Sequence, residues 1–379
     1  LKYLTMIIAT LKEISEDENR VAISPDTCKQ YCKKGFSVYI EKNAGVKSSF
    51  LDIDYENNGA KVLERDEILN QADIILNVTS ILKEPELNKL KKDVIFLGTY
   101  NPYENFKNLN ALAFKNFSTI TLDLLPRISR AQSMDVLSSQ ANLAGYKAVI
   151  EASSIFKKAM PMMMTAAGTI IPAKCLVLGA GVAGLQAVAT AKRLGCVVSV
   201  FDVRPEVEEQ VNSLGAKFIH VDQKKELEGS KLVYAKEMSD EYKKKQSEKI
   251  HEVSKEMDII ISTALIPGKK APLLIKSNTI KSMKSGSVLI DLAASAGGNI
   301  EGSIFGKKIS IENTILYAPS NLPSLISYDA SLLYSKNLFN FITTFINEEK
   351  KFNLDEEDEI LRKTLIIKNG NKTTFFLKD

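Results

Sequence analysis

The stretch Cys175-Leu-Val-Leu-Gly179-Ala-Gly181-Val-Ala-Gly184 decides how this chain is read. A run of strand character, Cys175–Leu178, leads directly into Gly-x-Gly-x-x-Gly. A helical segment, Leu185–Leu194, follows and is ended by Gly195. A second apolar run, Val197–Phe201, finishes at Asp202. Each part has a physical task. Gly179 permits a tight turn, Gly181 lets a pyrophosphate approach the backbone, and Gly184 lets helix and strand pack closely. The helix N-terminus supplies N–H donors and partial positive charge. Asp202 is placed to hydrogen-bond the ribose hydroxyls of an adenosine. That carboxylate would repel a 2′-phosphate, which favours NAD over NADP; Arg204 is the opposing signal, because a guanidinium can accept the phosphate.

Around this unit the chain alternates short apolar runs with helix-length polar segments. Strand candidates are Met6–Ala9, Ser37–Ile40, Asp73–Val78, Val94–Thr99 and Leu112–Phe114, with helical connections such as Pro25–Lys34 and Glu84–Lys91. The alternation restarts with Cys175–Leu178, Val197–Phe201, Phe218–Val221, Asp258–Thr263, Val288–Leu292 and Ile315–Tyr317. Strands alternating with helices imply parallel sheets covered on both faces. Asp135–Lys158 and Ser331–Asn347 are expected as long helices joining two sheets, and Lys368-Asn-Gly-Asn371 is a hairpin signal. The expected architecture is α/β: two doubly wound Rossmann-like domains with parallel sheets, separated by a cleft and joined by long helices. Residues 1–126 with 349–379 form the N-terminal domain, 140–326 the nucleotide-binding domain, and 127–139 with 327–348 the connections.

Composition sets outer bounds. The 379 residues, 45% hydrophobic and 25% charged, suit two or three globular domains and exclude a disordered or fibrous chain. A net charge of +4 from 50 Lys+Arg against 46 Asp+Glu, with Lys predominating, argues against a nucleic-acid binder. Cys28 and Cys32 share a helix spacing, and Cys175 and Cys196 fall in expected buried strands; the four read as reduced cytosolic thiols. Only His220 and His251 are present, so a His-rich metal site is excluded. No secretory signal is visible, and the longest uncharged run, Cys175–Ala191, is too short and glycine-broken to span a membrane.

One connection is anomalous. After a helix over Asp240–Lys255 is assigned, Asp222–Ser239 is left, too long for an ordinary link. It contains Tyr234-Ala-Lys-Glu-Met238 and reads equally well as a lid or as a solvated loop. A second polar cluster, Pro126-Arg127-Ile-Ser-Arg130-Ala-Gln132-Ser-Met-Asp135-Val-Leu-Ser138-Ser-Gln140, lies where the two sheets meet in sequence. Gln132 can hold a carboxamide, and Arg127 with Asp135 can form an ion pair that fixes the loop. A dehydrogenase acting on an alcohol or amine must also move a proton, which requires a His, Lys or Tyr near neutral pKa. His220 at a strand end and His251 on a Lys-rich helix read better as structural or exposed.

At these residues the chain resembles the NAD(H)-binding α subunit of proton-translocating NAD(P) transhydrogenase and, more distantly, alanine dehydrogenase. The matching blocks are Arg20-Val-Ala-Ile-Ser-Pro25, Arg127-Ile-Ser-Arg-Ala-Gln-Ser-Met-Asp135, Ser138-Ser-Gln-Ala-Asn-Leu-Ala-Gly-Tyr146 and Met164-Thr-Ala-Ala-Gly168. They continue with Gly179-Ala-Gly-Val-Ala-Gly-Leu-Gln186, Tyr234-Ala-Lys-Glu-Met-Ser239 and Thr263-Ala-Leu-Ile-Pro-Gly268. The resemblance implies a homodimer that binds NAD(H) in the cleft. It passes hydride directly to NADP⁺ held by a separate β subunit, while a membrane-domain subunit couples the transfer to proton flow. It implies Arg127, Gln132, Asp135, Ser138 and Tyr234 at the reacting end, with the Tyr234 segment a lid. It also implies Gly179, Ala180, Gly181, Val182, Ala183, Gly184, Asp202, Val203, Arg204, Gln246, Ala264 and Leu265 on the cofactor. Location on the cytoplasmic face of the inner membrane, held there only through partners, follows from the same resemblance, as does a split subunit complete at this length. Hydride transfer between two nicotinamides needs no proton at the reacting carbons, so positioning and water exclusion are the work left to the protein.

Alanine dehydrogenases resemble this chain but place a Lys and a His beside the substrate; the matching positions here are Asn77 and Asn101. Arg20, the substrate-carboxylate residue of that family, is expected here as a structural ion-pair former. A catalytically silent NAD-sensing module is a further alternative, against which the Arg127–Asp135 cluster and the lid weigh. The chain departs from the transhydrogenase pattern at Val233, where Gly is usual, at Ser295, where Glu is usual, and at Leu325, where Arg is usual.

Overall fold

The computed structural model describes residues 5–113, 116–221, 240–266, 268–347 and 349–373. The chain divides into two compact units, Leu1–Gln140 with Pro323–Asp379, and Ala141–Leu322. It passes from the first to the second within the helix Val136–Ile155 and returns between Leu322 and Pro323.

Along the chain the strands are β1 (Ile7–Thr10), β2 (Ser37–Glu41), β3 (Lys61–Leu63), β4 (Ile74–Leu76), β5 (Ile95–Gly98) and β6 (Ser118–Thr121). The second unit adds an exposed hairpin, β7 (Met163–Thr165) with β8 (Gly168–Ile170), then β9 (Lys174–Leu178), β10 (Val197–Phe201) and β11 (Lys217–Phe218). It continues with β12 (Ile259–Ser262), β13 (Val288–Asp291), β14 (Lys307–Ile311) and β15 (Thr314–Ala318). The chain closes with β16 (Leu365–Lys368) and β17 (Asn371–Lys372) in the first unit.

The first unit's sheet has the order β17-β16-β6-β5-β4-β1-β2-β3, parallel from β6 to β3, with β16 and β17 antiparallel at one edge. The second unit's sheet has the order β11-β10-β9-β12-β13-β15-β14, parallel except for β14. In the second sheet the order reverses between β9 and β12. Open α/β sheets bind ligands beyond the carboxyl ends of strands at such a reversal.

Both sheets are buried on both faces, which explains the unbroken apolar runs. In β4, Ile74 and Leu76 enter one core and Ile75 the other. In β9, Cys175 and Val177 face one core while Leu176 and Leu178 face the opposite one. Both domains therefore carry the two-layered helix covering expected of a doubly wound fold.

Several local expectations are corrected. Leu112–Phe114 is not a strand over its described residues: Leu112 and Ala113 form a turn after the helix Phe106–Asn110, with Leu112 buried. Phe114 lies outside the described residues. The strand comes later, at Ser118–Thr121, where polar but fully buried Ser and Thr sit between β5 and β16. The edge strand β14, with exposed Lys307 and Lys308, escaped the apolar-run reading. Cys196 is buried but stands one residue before β10. Among the described residues no helix is long and apolar enough to cross a membrane.

Candidate functional site

In the second unit the glycine turn joins β9 to the helix Val182–Arg193, and contacts at two of its glycines explain why side chains are excluded. Gly179 has φ +97°, and a Cβ there would meet Thr263 Oγ1 at 2.8 Å and the Ala264 nitrogen at 3.2 Å. A Cβ on Gly184 would stand 1.8 Å from the Gly179 carbonyl oxygen, so helix and turn touch backbone to backbone. Gly181 is exposed, has an ordinary negative φ, and a Cβ there would meet nothing within 4 Å. The helix Val182–Arg193 begins at Gly181 with no side chain capping its first N–H groups. Open space, uncapped donors and the positive end of a helix together fit a pyrophosphate.

Sequence reading missed the brace behind this turn. Gly145, on the helix Val136–Ile155, packs against it so closely that a Cβ would lie 2.0 Å from the Ala183 carbonyl oxygen. Nothing local in the sequence distinguishes that glycine.

Strand register sets the neighbours of the turn. Phe201 of β10 and Ser262 of β12 both pair with Leu178 of β9, so Asp202, Gly179 and Thr263 stand side by side at the strand ends. The Asp202 carboxylate is nearly enclosed and accepts a 2.6 Å bond from the Ala180 N–H. It also accepts 3.0 Å bonds from Arg204 Nε and Nη2. Burial alone would raise its pKa; the Arg204 and Ala180 bonds outweigh that and hold it below the usual carboxylate value. Val203 is exposed beside it. Across the turn, Thr263 Oγ1 donates to the Leu178 and Gly179 carbonyls, Ala264 follows, and Leu265 is exposed. Gln246 lies buried on the helix Asp240–Ser254. Tyr234, Val233 and the proposed lid Asp222–Ser239 lie outside the described residues.

In the first unit the second cluster forms a tight turn. Ser129–Met134 is a 3₁₀ segment with Ala131 and Met134 buried as anchors and Gln132 exposed. The side chains of Asn337 and Asn340, on the helix Ser327–Phe345, both donate to the Ser133 carbonyl at 2.9 Å. Neither residue was singled out from sequence. Asp135 corrects an expectation: its carboxylate accepts from the Ser138 N–H at 2.9 Å and from the Ser138 hydroxyl, rather than pairing with Arg127. It caps the helix Val136–Ile155, and capping three residues ahead is locally easier than a bond back across the turn. Arg127 is exposed. Arg130 is held by Asp358, its Nη2 lying 2.7 Å from both carboxylate oxygens.

Arg20 is the expected ion-pair former. It is buried against Glu18, with contacts of 2.7 and 2.8 Å, and donates to Gln140 at 2.9 Å. Asn77 is buried and Asn101 is not; neither can exchange a proton near neutral pH. His220 is exposed and pairs with Glu208, while His251 bonds Thr279.

A glycine turn at the reversal of a parallel sheet, flanked by a carboxylate at the next strand end, defines a dinucleotide-binding protein of the dehydrogenase class. The chain belongs to the alanine dehydrogenase/PNT family: the family's N-terminal domain matches residues 9–144 and its C-terminal domain residues 148–374. It is 46% identical over 378 residues to an NAD(P) transhydrogenase subunit alpha of Rickettsia prowazekii, covering 99% of this chain and 98% of that one. The transhydrogenase crystal structure from Sinorhizobium meliloti superposes with a TM-score of 0.88 at 43% identity, covering 97% of this chain and all of that one. An L-alanine dehydrogenase structure shares the fold at a TM-score of 0.83 and 21% identity, covering 98% of each chain. Alanine dehydrogenase is thus a distant relative.

Proposed function

We propose that this chain is the NAD(H)-binding subunit of a proton-translocating NAD(P) transhydrogenase. The observation that carries the reading is the register-level row of Asp202, Gly179 and Thr263 beneath an uncapped helix N-terminus. The pyrophosphate fits the open space at Gly181, and the adenosine ribose fits the Asp202 side. The 46% identity to a transhydrogenase α subunit, over nearly the whole of both chains, supports the same reading.

Bound NADH supplies the hydride. Everything else asked of this chain is geometry. Gln132, exposed on a turn that Asn337 and Asn340 clamp through Ser133, orients the carboxamide end of the cofactor. Asp135 and Ser138 lock that turn onto the helix Val136–Ile155. Arg127 binds alongside, and Tyr234 excludes water as part of a lid. NADP⁺ is held by a partner β subunit, a membrane-domain subunit couples transfer to proton flow, and this chain works as a homodimer on the cytoplasmic face of the inner membrane.

The test is a pair of fluorescence titrations of the purified chain with NADH and NADPH. The chain has no Trp, so its own emission interferes little. NADH binding with negligible NADPH binding is expected, followed by hydride transfer once the NADP-binding domain of the β subunit is added. Comparable binding of both nucleotides overturns the division of cofactors between subunits.

A further inference from the structure

Asn299 is completely buried, and every hydrogen-bonding position of its side chain is used. Its Oδ1 accepts from the Ser262 hydroxyl at 2.8 Å and from the Ala264 N–H at 3.1 Å. Its Nδ2 donates to the carbonyls of Ala264 and Pro272, each at 2.8 Å. One amide therefore grips both the N–H and the C=O of Ala264, as a neighbouring strand would, at the point where β12 has ended and no strand is left to do so.

The grip is itself anchored. Asp291, at the end of β13 and fully buried, accepts from the backbone N–H of Asn299 at 2.9 Å and of Ile300 at 3.1 Å, and from the Ser303 hydroxyl at 2.6 Å. The Asn299 carbonyl in turn receives the N–H groups of Leu274 and Ile275. A chain of fixed bonds thus runs from β13 through Asn299 to Ala264, which packs against the glycine turn. A hydrogen-bonded amide with all positions satisfied is rigid, because each alternative leaves a buried polar group unpaired.

Asp202 and Thr263 lie on opposite sides of Gly179, two strand spacings apart, or roughly 10 Å. A dinucleotide that crosses the turn with its adenosine over Asp202 must lay its other half along Thr263, Ala264 and Leu265. We propose that Asn299 is a positioning residue for that second half: it holds the Ala264 backbone where the nicotinamide side of the cofactor needs it. The inference rests on the nucleotide-binding reading above.

Asn299→Asp keeps the side chain's shape and replaces its two donors by an oxygen facing two carbonyls. NADH affinity is expected to fall about ten-fold or more, by fluorescence titration. Affinity for 5′-AMP, measured by displacement and engaging only the Asp202 side, is expected to stay within about two-fold. A purely structural defect would weaken both together. Unchanged NADH binding in a folded Asn299→Asp protein, or equal losses for NADH and AMP, overturns the proposal. Ser262→Ala removes one donor to Oδ1 and is the milder variant: it should weaken NADH alone, by a few-fold, and parallel changes or none overturn the role even if Asn299→Asp does not fold. Wild-type protein that binds neither NADH nor AMP overturns the nucleotide reading itself, an outcome distinct from wild-type binding that Asn299→Asp leaves intact.

Discussion

Arg204 closes a two-pronged fork on Asp202, Nε to Oδ1 and Nη2 to Oδ2, each at 3.0 Å. From sequence the two residues are rival selectors, one favouring NAD and the other NADP. In the structure they are partners: the guanidinium is aligned to the carboxylate of its own chain, and the carboxylate also accepts the Ala180 N–H of the glycine turn. Bidentate pairing of this kind is directional as well as strong. Asp202→Ala releases the guanidinium to meet a 2′-phosphate. NADH affinity should fall roughly ten-fold and NADPH affinity should rise, measured by titration of each nucleotide. Unchanged preference would mean that neither residue selects the cofactor.

The same pair predicts an acid limb in stability. The Asp202 carboxyl is held below its ordinary value of 3.8: burial works against ionisation, and the Arg204 and Ala180 bonds prevail. With the folded pKa below the unfolded one, the stabilisation is fully present above about pH 4 and is lost as pH falls through the lowered folded value. Asp202→Asn cannot titrate. Melting curves from pH 7 down to pH 3 should lose stability less steeply in the variant than in the wild type, and identical slopes would remove Asp202 from the acid limb.

Two neighbouring glycines should respond in opposite ways. A methyl group at Gly184 collides with the Gly179 carbonyl at 1.8 Å, and neither backbone can yield cheaply. Gly184→Ala should therefore cost at least about 1–3 kcal/mol of stability and disturb nucleotide binding as a consequence. At Gly181 a methyl group meets nothing within 4 Å and the backbone needs no positive φ. Gly181→Ala should melt within a few degrees of wild type yet bind NADH much more weakly, because the methyl occupies the space offered to the pyrophosphate. Normal NADH affinity in Gly181→Ala would move the pyrophosphate elsewhere.

What could be read in advance follows from how local each signal is. Ile74-Ile75-Leu76 and Cys175–Leu178 announce themselves because strands buried on both faces must be apolar throughout. The glycine turn is legible because its constraints lie within ten residues. Ser118–Thr121 is not: its burial comes from β5 on one side and β16, far along the chain, on the other. Leu112 is buried at a helix end, and a single apolar residue cannot distinguish that from a strand. Gly145, Asn299 and Asn337 stayed invisible for one shared reason. Each is defined by a contact with backbone remote in sequence, at Ala183, Ala264 and Ser133 respectively. The Arg127–Asp135 pairing failed because a helix start three residues away offered Asp135 a nearer partner.

The exposed Gln132 carries the last prediction. Its turn is fixed from below by buried Ala131 and Met134 and from the side by Asn337 and Asn340 on the Ser133 carbonyl. A rigid base makes the reach of the side chain matter, and Gln132→Asn shortens that reach by one methylene. If the amide orients the nicotinamide for direct transfer, a displacement of about 1 Å should slow hydride transfer by on the order of 10²-fold. NADH should still bind, since the pyrophosphate and adenosine contacts lie on the glycine turn and Asp202. Stopped-flow transfer to the NADP-binding partner domain, alongside an NADH titration of the same protein, separates the two quantities. A normal transfer rate in Gln132→Asn would remove this residue from the reacting geometry and leave the turn a purely structural connection.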